Sequence, residues 1–250
     1  MFKKILSLFK TRPELASPLT DAVPSPAPAS ALSPATGIPP RLTRSRRKKK
    51  KSDPDWISAP QEPSTAELLL GLPREYKVLN DLLVSNPKSR SGYSQVDHVV
   101  VGPRSIFVIE TRNLTTGEIR GGRREANWTV SSSRVKMYNP LMQHRAHVEA
   151  VQAHLGDYKR VRVVSMVTFT NRCRISVDPA VRYVNSDEMV IYDHELVETI
   201  QRKTERLESE LPETLYKEQD IQAIWDMLHA ANSTDQQIRA EHMAKAKGIK

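Results

Sequence analysis

The sequence predicts an α/β domain of the α+β kind, a central mixed β-sheet flanked by helices, behind a disordered N-terminal region. Three observations carry this reading. At 250 residues and 38% hydrophobic, the chain can bury one principal core. From Ser64 onward, β-branched runs alternate with segments of helical periodicity, the pattern of strands interleaved with helices. Before that point the composition changes: residues 13–63 hold 11 of the 17 prolines among Ala and Ser, and bury too little apolar surface to offset the entropy of ordering.

The formal charge of +9 is concentrated at the front, where residues 1–63 carry 12 Lys/Arg against 5 Asp/Glu. Within residues 1–12, MFKKILSLFK places Phe2, Ile5, Leu6, Leu8 and Phe9 on one arc and its lysines on the other, so a short amphipathic, interfacial helix is expected. Its apolar part is too short and interrupted for a signal-peptide core, and no run of about 18 apolar residues provides a membrane span. The linker at 13–63 contains RLTRSRRKKKK. Its Arg46, Arg47, Lys48, Lys49, Lys50 and Lys51 can meet nucleic-acid phosphates or anionic lipid headgroups, and the sequence does not choose between them. The lone Cys173 excludes an internal disulfide and a multi-cysteine zinc site, fits a reducing compartment, and reads as a small buried apolar residue.

Order is expected over residues 64–231. Ser64 or Thr65 can cap a helix through Glu67 to Leu70, with Gly71 and Pro73 breaking it. YKVLNDLLV satisfies a strand and a helix face about equally. The next stretch, SQVDHVVVGPRSIFVIETRN, is clearer: Val96–Val101 and Ile106–Thr111 are strand runs joined by a Gly-Pro-Arg-Ser turn. Pairing Val101 with Ile106 sets Asp97 opposite Glu110, where like charges destabilise a sheet. Alternation adds Arg112 to the face of Glu110. A divalent cation bridging the carboxylates explains such a face, since hard cations take carboxylate oxygens. A solvated face neutralised by Arg112 explains it too.

Further on, Asn139 as N-cap and Pro140 as first helical residue begin a helix with Leu141, Val148, Val151 and Leu155 along one face and Gln143 and His147 one turn apart. His144, His147 and His154 read as surface residues, because no cysteine or carboxylate stands beside them at a metal-binding spacing. Trp128 reads as core. Arg120, Arg123 and Arg124 in GEIRGGRRE can hold phosphates or line a solvated loop. VRVVSMVTF reads as a doubly buried strand, VRYVNSDEMVIYD as one or two more, and 193–207 and 219–231 as helices. Residues 232–250 read as a charged tail, a frayed helix or disordered, and the acids are expected near a sheet edge.

Taken together, SQVDHVVVG, IFVIETRN, GEIRGG with Trp128, and NPLMQHRAHVEAV resemble the nuclease-related domain family, NERD, a relative of the PD-(D/E)XK nucleases, over roughly residues 67–192. The resemblance implies a restriction-endonuclease-like core and metal-dependent cleavage of nucleic acid. It implies catalytic roles for Glu67, Asp97, Glu110, Arg112 and Gln143, with Asp97 and Glu110 as ligands of Mg²⁺ or Mn²⁺. Arg112 stands where the family usually shows lysine; arginine keeps the charge but cannot act as a base. Two functions follow as expectations. One is a nuclease acting on DNA or RNA. The other is an inactive nucleic-acid-binding or membrane-linked adaptor, and either is expected to be cytoplasmic or peripheral to the inner face of a membrane. No Gly-x-x-x-x-Gly-Lys loop and no Gly-x-Ser-x-Gly elbow is present, so nucleotide hydrolysis and serine esterase chemistry lack support.

Overall fold

The computed structural model describes residues 63–114, 116–131 and 135–246; the expected amphipathic helix, the linker and its basic run lie outside them. The chain opens with α1 (Thr65–Leu69), whose N-cap Ser64 forms a reciprocal capping box with Glu67. The ambiguous segment resolves as a strand, β1 (Lys77–Ser85), because it pairs along its length with β2 (Tyr93–Val101). Next comes β3 (Ile106–Arg112), then β4 (Glu118–Gly121), β5 (Asn127–Val130) and β6 (Val135–Tyr138). In that last region the sequence offers only the GEIRGGRRE loop and a core tryptophan. Helix α2 (Pro140–Ala153) follows, capped by Asn139 as expected, and then β7 (Val163–Phe169), β8 (Arg174–Val177) and β9 (Glu188–Tyr192). Helices α3 (Leu196–Glu210), α4 (Glu218–Ala231) and α5 (Gln236–Ala246) complete the described chain.

The strands form two mixed sheets. The larger runs β1-β2-β3-β7-β9, with the first three antiparallel and β7 and β9 added in parallel; the smaller runs β6-β5-β4-β8. Alternation along the larger sheet supplies both of its faces. Val101, Ile106 and Val108 pack with Val151 of α2, with Leu155 just beyond that helix, and with Ile221, Ile224 and Leu228 of α4. Val100, Phe107 and Ile109 pack on the other side with Leu69 of α1 and Leu196 and Ile200 of α3. Each fully buried Leu, Ile or Phe contributes roughly 1.5–3 kcal/mol, so the two cores fix β3, shared by both, as the most constrained strand. The acids of β2 and β3 therefore lie at the sheet's centre, not near an edge. A bulky doubly buried run like IFVI excludes an edge position, because each face needs a helix to cover it.

The smaller sheet closes over Trp128, which is fully buried with Ile119, Leu141 and Phe169. A side chain at Gly121 would stand 2.1 Å from the indole, so only glycine allows that approach. Cys173 is buried in the same cluster. Of the two alternatives for the tail, residues 236–246 take the helical one, and the segment is tied down rather than frayed. Asn232 Oδ1 accepts from Leu83 N at 2.9 Å, and Arg239 on α5 donates to Asp81 Oδ2 at 2.7 Å and Asp81 O at 2.9 Å. No residue of α5 is buried, so polar contacts rather than an apolar face hold it, which is why hydrophobic periodicity did not reveal it. Among the described residues, no helix is long and apolar enough to cross a membrane.

Candidate active site

The expected hairpin register holds from Val101↔Ile106 to His98↔Ile109, and there the ladder stops. Two irregularities meet at this level. On β1, Leu79 and Leu82, three residues apart, join the same core face, and on β2 so do Val96 and Val99. A strictly alternating strand would put them on opposite faces. The residues that absorb the offset are Asp81, held at φ 54, and Asp97. Aspartate tolerates the left-handed region better than most residues. Asp97 consequently does not face Glu110 as a cross-strand pair. Its Oδ2 accepts from Thr111 N at 2.8 Å, so the carboxylate replaces a ladder bond where β2 leaves β3. Burial raises the Asp97 carboxyl above its usual range; the Thr111 hydrogen bond opposes this and the Glu110 charge adds to it.

Glu110 lies at the same level on β3, buried beneath α2. His147 Nδ1 is 3.1 Å from its Oε2, His144 Nδ1 is 3.7 Å from the same oxygen, and Arg112 Nη2 is 3.1 Å from Oε1. Burial alone would raise this carboxyl; the imidazoles of His144 and His147 and the Arg112 guanidinium outweigh it and hold it well below the usual carboxylate range. The Arg112 contact is an ion pair without hydrogen-bond alignment, since Nε and Nη2 are both buried with no hydrogen-bond partner. Arg112 is thus on the face of Glu110, as alternation requires.

The surface reading of the histidines fails for two of the three. His144 is fully buried and His147 is 20% exposed at its side chain. The carboxylate they lacked in sequence comes from another element, β3, brought under α2 by the core that Val151 shares with Ile106 and Val108. Glu110, His144 and His147 each offer a ligand atom within 4.8 Å of the others, a potential metal-binding cluster. A spacing of three on a helix was the available signal, since it places both rings on one face. His154 lies apart, bonded to Ser85 Oγ and Ala150 O.

Two clefts meet at Asp97. One, about 590 Å³, runs between α1 and the β2–β3 split past Asp81, His98, Thr111 and Arg172. The other, about 410 Å³, is lined by Asp97, Glu110, Gln143 and His147, with His242 of α5 at its side. The smaller cleft is the candidate active site, because it gathers the expected Asp97, Glu110 and Gln143. His242 was not foreseen; its Nδ1 pairs with Ser91 Oγ at 2.8 Å.

Other expected site residues lie elsewhere. Glu67 is exposed and its Oε2 accepts from Ser64 N at 2.7 Å and Ser64 Oγ at 2.8 Å, so it serves the helix cap and does not line this cleft. Arg120 pairs with Glu118 at 2.8 Å and Arg123 with Glu188 at 2.6 Å; Arg124 is exposed. Their loop has a structural task instead. Asn139 Nδ2 donates to Gly122 O, Arg123 O and Glu125 O while its Oδ1 caps Leu141 N, which ties the loop to the start of the helix carrying Gln143, His144 and His147. The basic residues Arg46 to Lys51 lie outside the described residues.

A central mixed sheet that splits at an aspartate, followed by a Glu-x-Arg strand end and a Gln-bearing helix, defines a mixed α/β domain with the arrangement expected from the nuclease-related resemblance. The comparisons agree: residues 59–170 match the family model of the nuclease-related domain. A similar protein is an uncharacterized one from Bacillus anthracis, 26% identical over 197 residues that cover 78% of this chain and 85% of that one. No solved structure matches the chain significantly.

Proposed function

We propose that the domain is a metal-dependent nuclease that hydrolyses phosphodiester bonds in DNA. The observation that carries this reading is the convergence of Asp97, Glu110 and Gln143 on one cleft, with Arg112 behind Glu110 presenting buried N–H groups that no protein acceptor satisfies. Asp97 and Glu110 are the residues that would hold a divalent cation such as Mg²⁺ or Mn²⁺: one Asp97 oxygen is bonded to Thr111 N, and the partners of Glu110 favour its carboxylate form. Such an ion, when bound, supplies Lewis-acid charge against the phosphodiester. The chain supplies the rest. Arg112 donates hydrogen bonds to a phosphate oxygen as charge builds on it, and Gln143 orients the attacking water through its amide. Arg112 keeps its proton throughout. The basic leader adds sequence-independent affinity for phosphates and gives the chain a second use at an anionic membrane surface, consistent with a cytoplasmic or inner-face peripheral location.

The test is cleavage of single- and double-stranded DNA with Mg²⁺ or Mn²⁺ by the full chain against Asp97→Asn. Metal-dependent cleavage lost in the variant supports the reading; equal cleavage in both removes it. The ion pair between Arg112 and Glu110 favours a second reading, an inactive adaptor whose site is neutralised internally. Nucleic-acid binding without turnover by any divalent ion would select it.

A further inference from the structure

The proton positions in the His144–Glu110 contact are constrained by the partners. His144 Nε2 is 3.0 Å from Val108 O, and a carbonyl only accepts, so Nε2 carries the ring's proton. In the neutral ring Nδ1 is then a bare lone pair. It is fully buried, has no hydrogen-bond partner, and points at Glu110 Oε2 from 3.7 Å. Two acceptors facing each other in a buried site are unfavourable unless something positive lies between them. A backbone carbonyl that fixes one ring nitrogen while the other faces a carboxylate is also the arrangement that orients a metal-ligating histidine.

We infer that Glu110, His144 and His147 form a binding site for a divalent transition metal of the zinc type, separate in its ligand chemistry from the carboxylate position of Asp97 and Glu110. The inference rests on reading this cleft as a metal site and adds the class of ion. Around a tetrahedral ion with bonds of about 2.1 Å, neighbouring ligand atoms stand about 3.4 Å apart; the separations from Glu110 Oε2 to His147 and His144 are 3.1 and 3.7 Å. The rings meet edge to face, with centroids 5.6 Å apart and planes at 90°, so both nitrogens converge without stacking. Imidazole favours zinc, iron, cobalt and nickel, whereas Mg²⁺ prefers an all-oxygen shell. Three protein ligands leave a position open to the cleft that Gln143 and Asp97 also line.

The experiment uses the full chain stripped of metal by a chelator and titrated, without nucleic acid, with Co²⁺, Zn²⁺ and Mg²⁺, read by calorimetry, visible absorption of bound Co²⁺ and thermal melting. One Co²⁺ should bind with the intense visible bands of a low-coordinate nitrogen-containing site, Zn²⁺ should displace it, and equimolar Mg²⁺ should not. His147→Ala, a partly exposed position, should weaken Co²⁺ binding at least tenfold and remove those bands, while His154→Ala should leave both unchanged. Co²⁺ binding that survives His147→Ala, displacement by equimolar Mg²⁺, or no binding by the wild type overturns the inference. The outcomes stay distinct from those of the nuclease reading. Mg²⁺-supported cleavage by a chain that captures no Co²⁺ would keep the nuclease and remove this site; Co²⁺ capture without cleavage would do the reverse.

Discussion

Two acidic centres in this molecule, one half-buried around Asp187 and Glu188 and one buried around Glu110, differ in how completely the chain satisfies them. At the first, Asp187 accepts from Arg162 Nε at 3.1 and 3.0 Å and pairs with Lys203 Nζ at 2.9 Å, while the same ammonium donates to Val184 O and Ser186 O. Beside it Glu188 takes Arg123 and Arg145, one on each oxygen. At the second, Glu110 has His147 within hydrogen-bond distance, but the Nδ1 of His144 and two nitrogens of Arg112 are buried without partners. Burying polar groups unpaired costs about 1–3 kcal/mol each. A closed network is explained by stability alone. An open one points outward, to a ligand.

The largest effect expected from this contrast is structural. Lys203→Ala removes a fully buried ammonium and leaves Asp187 with Arg162 only and two carbonyls without their donor. A loss of about 3 kcal/mol, at the low end for a broken buried pair because Asp187 is partly exposed, should lower the melting temperature by roughly 6–12 °C. Metal binding at Glu110 should not change. A loss of metal binding alongside stability would show that the two centres are one network.

Acid should separate the centres next. Burial raises Asp187 and Glu188, but their arginine and lysine partners outweigh it, so both lie below the usual range. The unfolded chain therefore takes up their protons first, and the stability they contribute is present above about pH 4.5 and lost as pH falls below it. Asp97 has the opposite sign: its raised carboxyl favours the folded state when protonated, and that contribution fades as pH rises through its folded value. Denaturant melts of metal-free protein from pH 6 to 3 should show falling stability. Asp187→Asn should flatten that fall and Asp97→Asn should steepen it. Equal slopes in all three would contradict the assignment.

A pair of substitutions at Asp97 sharpens the meaning of its hydrogen bond. Asp97→Ala leaves Thr111 N without an acceptor and should cost about 2 kcal/mol in metal-free chemical denaturation. Asp97→Asn can still accept through its amide oxygen and relieves the repulsion with Glu110, so its metal-free stability should equal or exceed the wild type while any Mg²⁺- or Mn²⁺-dependent rise in melting temperature is lost. If Asn destabilises as much as Ala, the charge of Asp97 is a structural requirement and not a cost carried for function.

What was legible in the sequence follows local rules. Period-two alternation and turn chemistry placed β2, β3 and their register, and the Asn-Pro start placed α2, because those signals lie within a few residues of each other. Three features were illegible for one reason: each depends on what lies opposite. β1 could be told from a helix only by pairing with β2. The matched offset at Asp81 and Asp97 belongs to two strands jointly and turned an expected facing acid pair into an in-plane carboxylate. The histidines needed a carboxylate 34 residues before the first of them in the chain, supplied by β3. The arginine-rich loop, for which the sequence left phosphate contact and a solvated loop both open, carries a further task that depends on what lies opposite: its carbonyls anchor Asn139 and its Arg123 pairs with Glu188.

The smallest expected effect concerns Arg112, which makes the open centre differ from the signature of its family. If the nuclease is slowed by this residue, Arg112→Lys should raise the metal-dependent cleavage rate by about tenfold, equivalent to about 1.4 kcal/mol. A compact ammonium has rotatable donors and can give up a proton when desolvated, whereas the guanidinium here keeps Nε and Nη2 buried and unaligned with Glu110. The fold should tolerate the exchange, because Arg112 carries no hydrogen bond that the lysine would forfeit through those atoms. The opposite outcome has its own meaning. A drop in rate would show that those idle N–H groups are aimed at the scissile phosphate, as a planar fork that lysine cannot reproduce. If wild type and variant both bind nucleic acid and metal yet neither cleaves, the open centre belongs to the adaptor reading, and its unfilled donors serve to hold a phosphate rather than to break one.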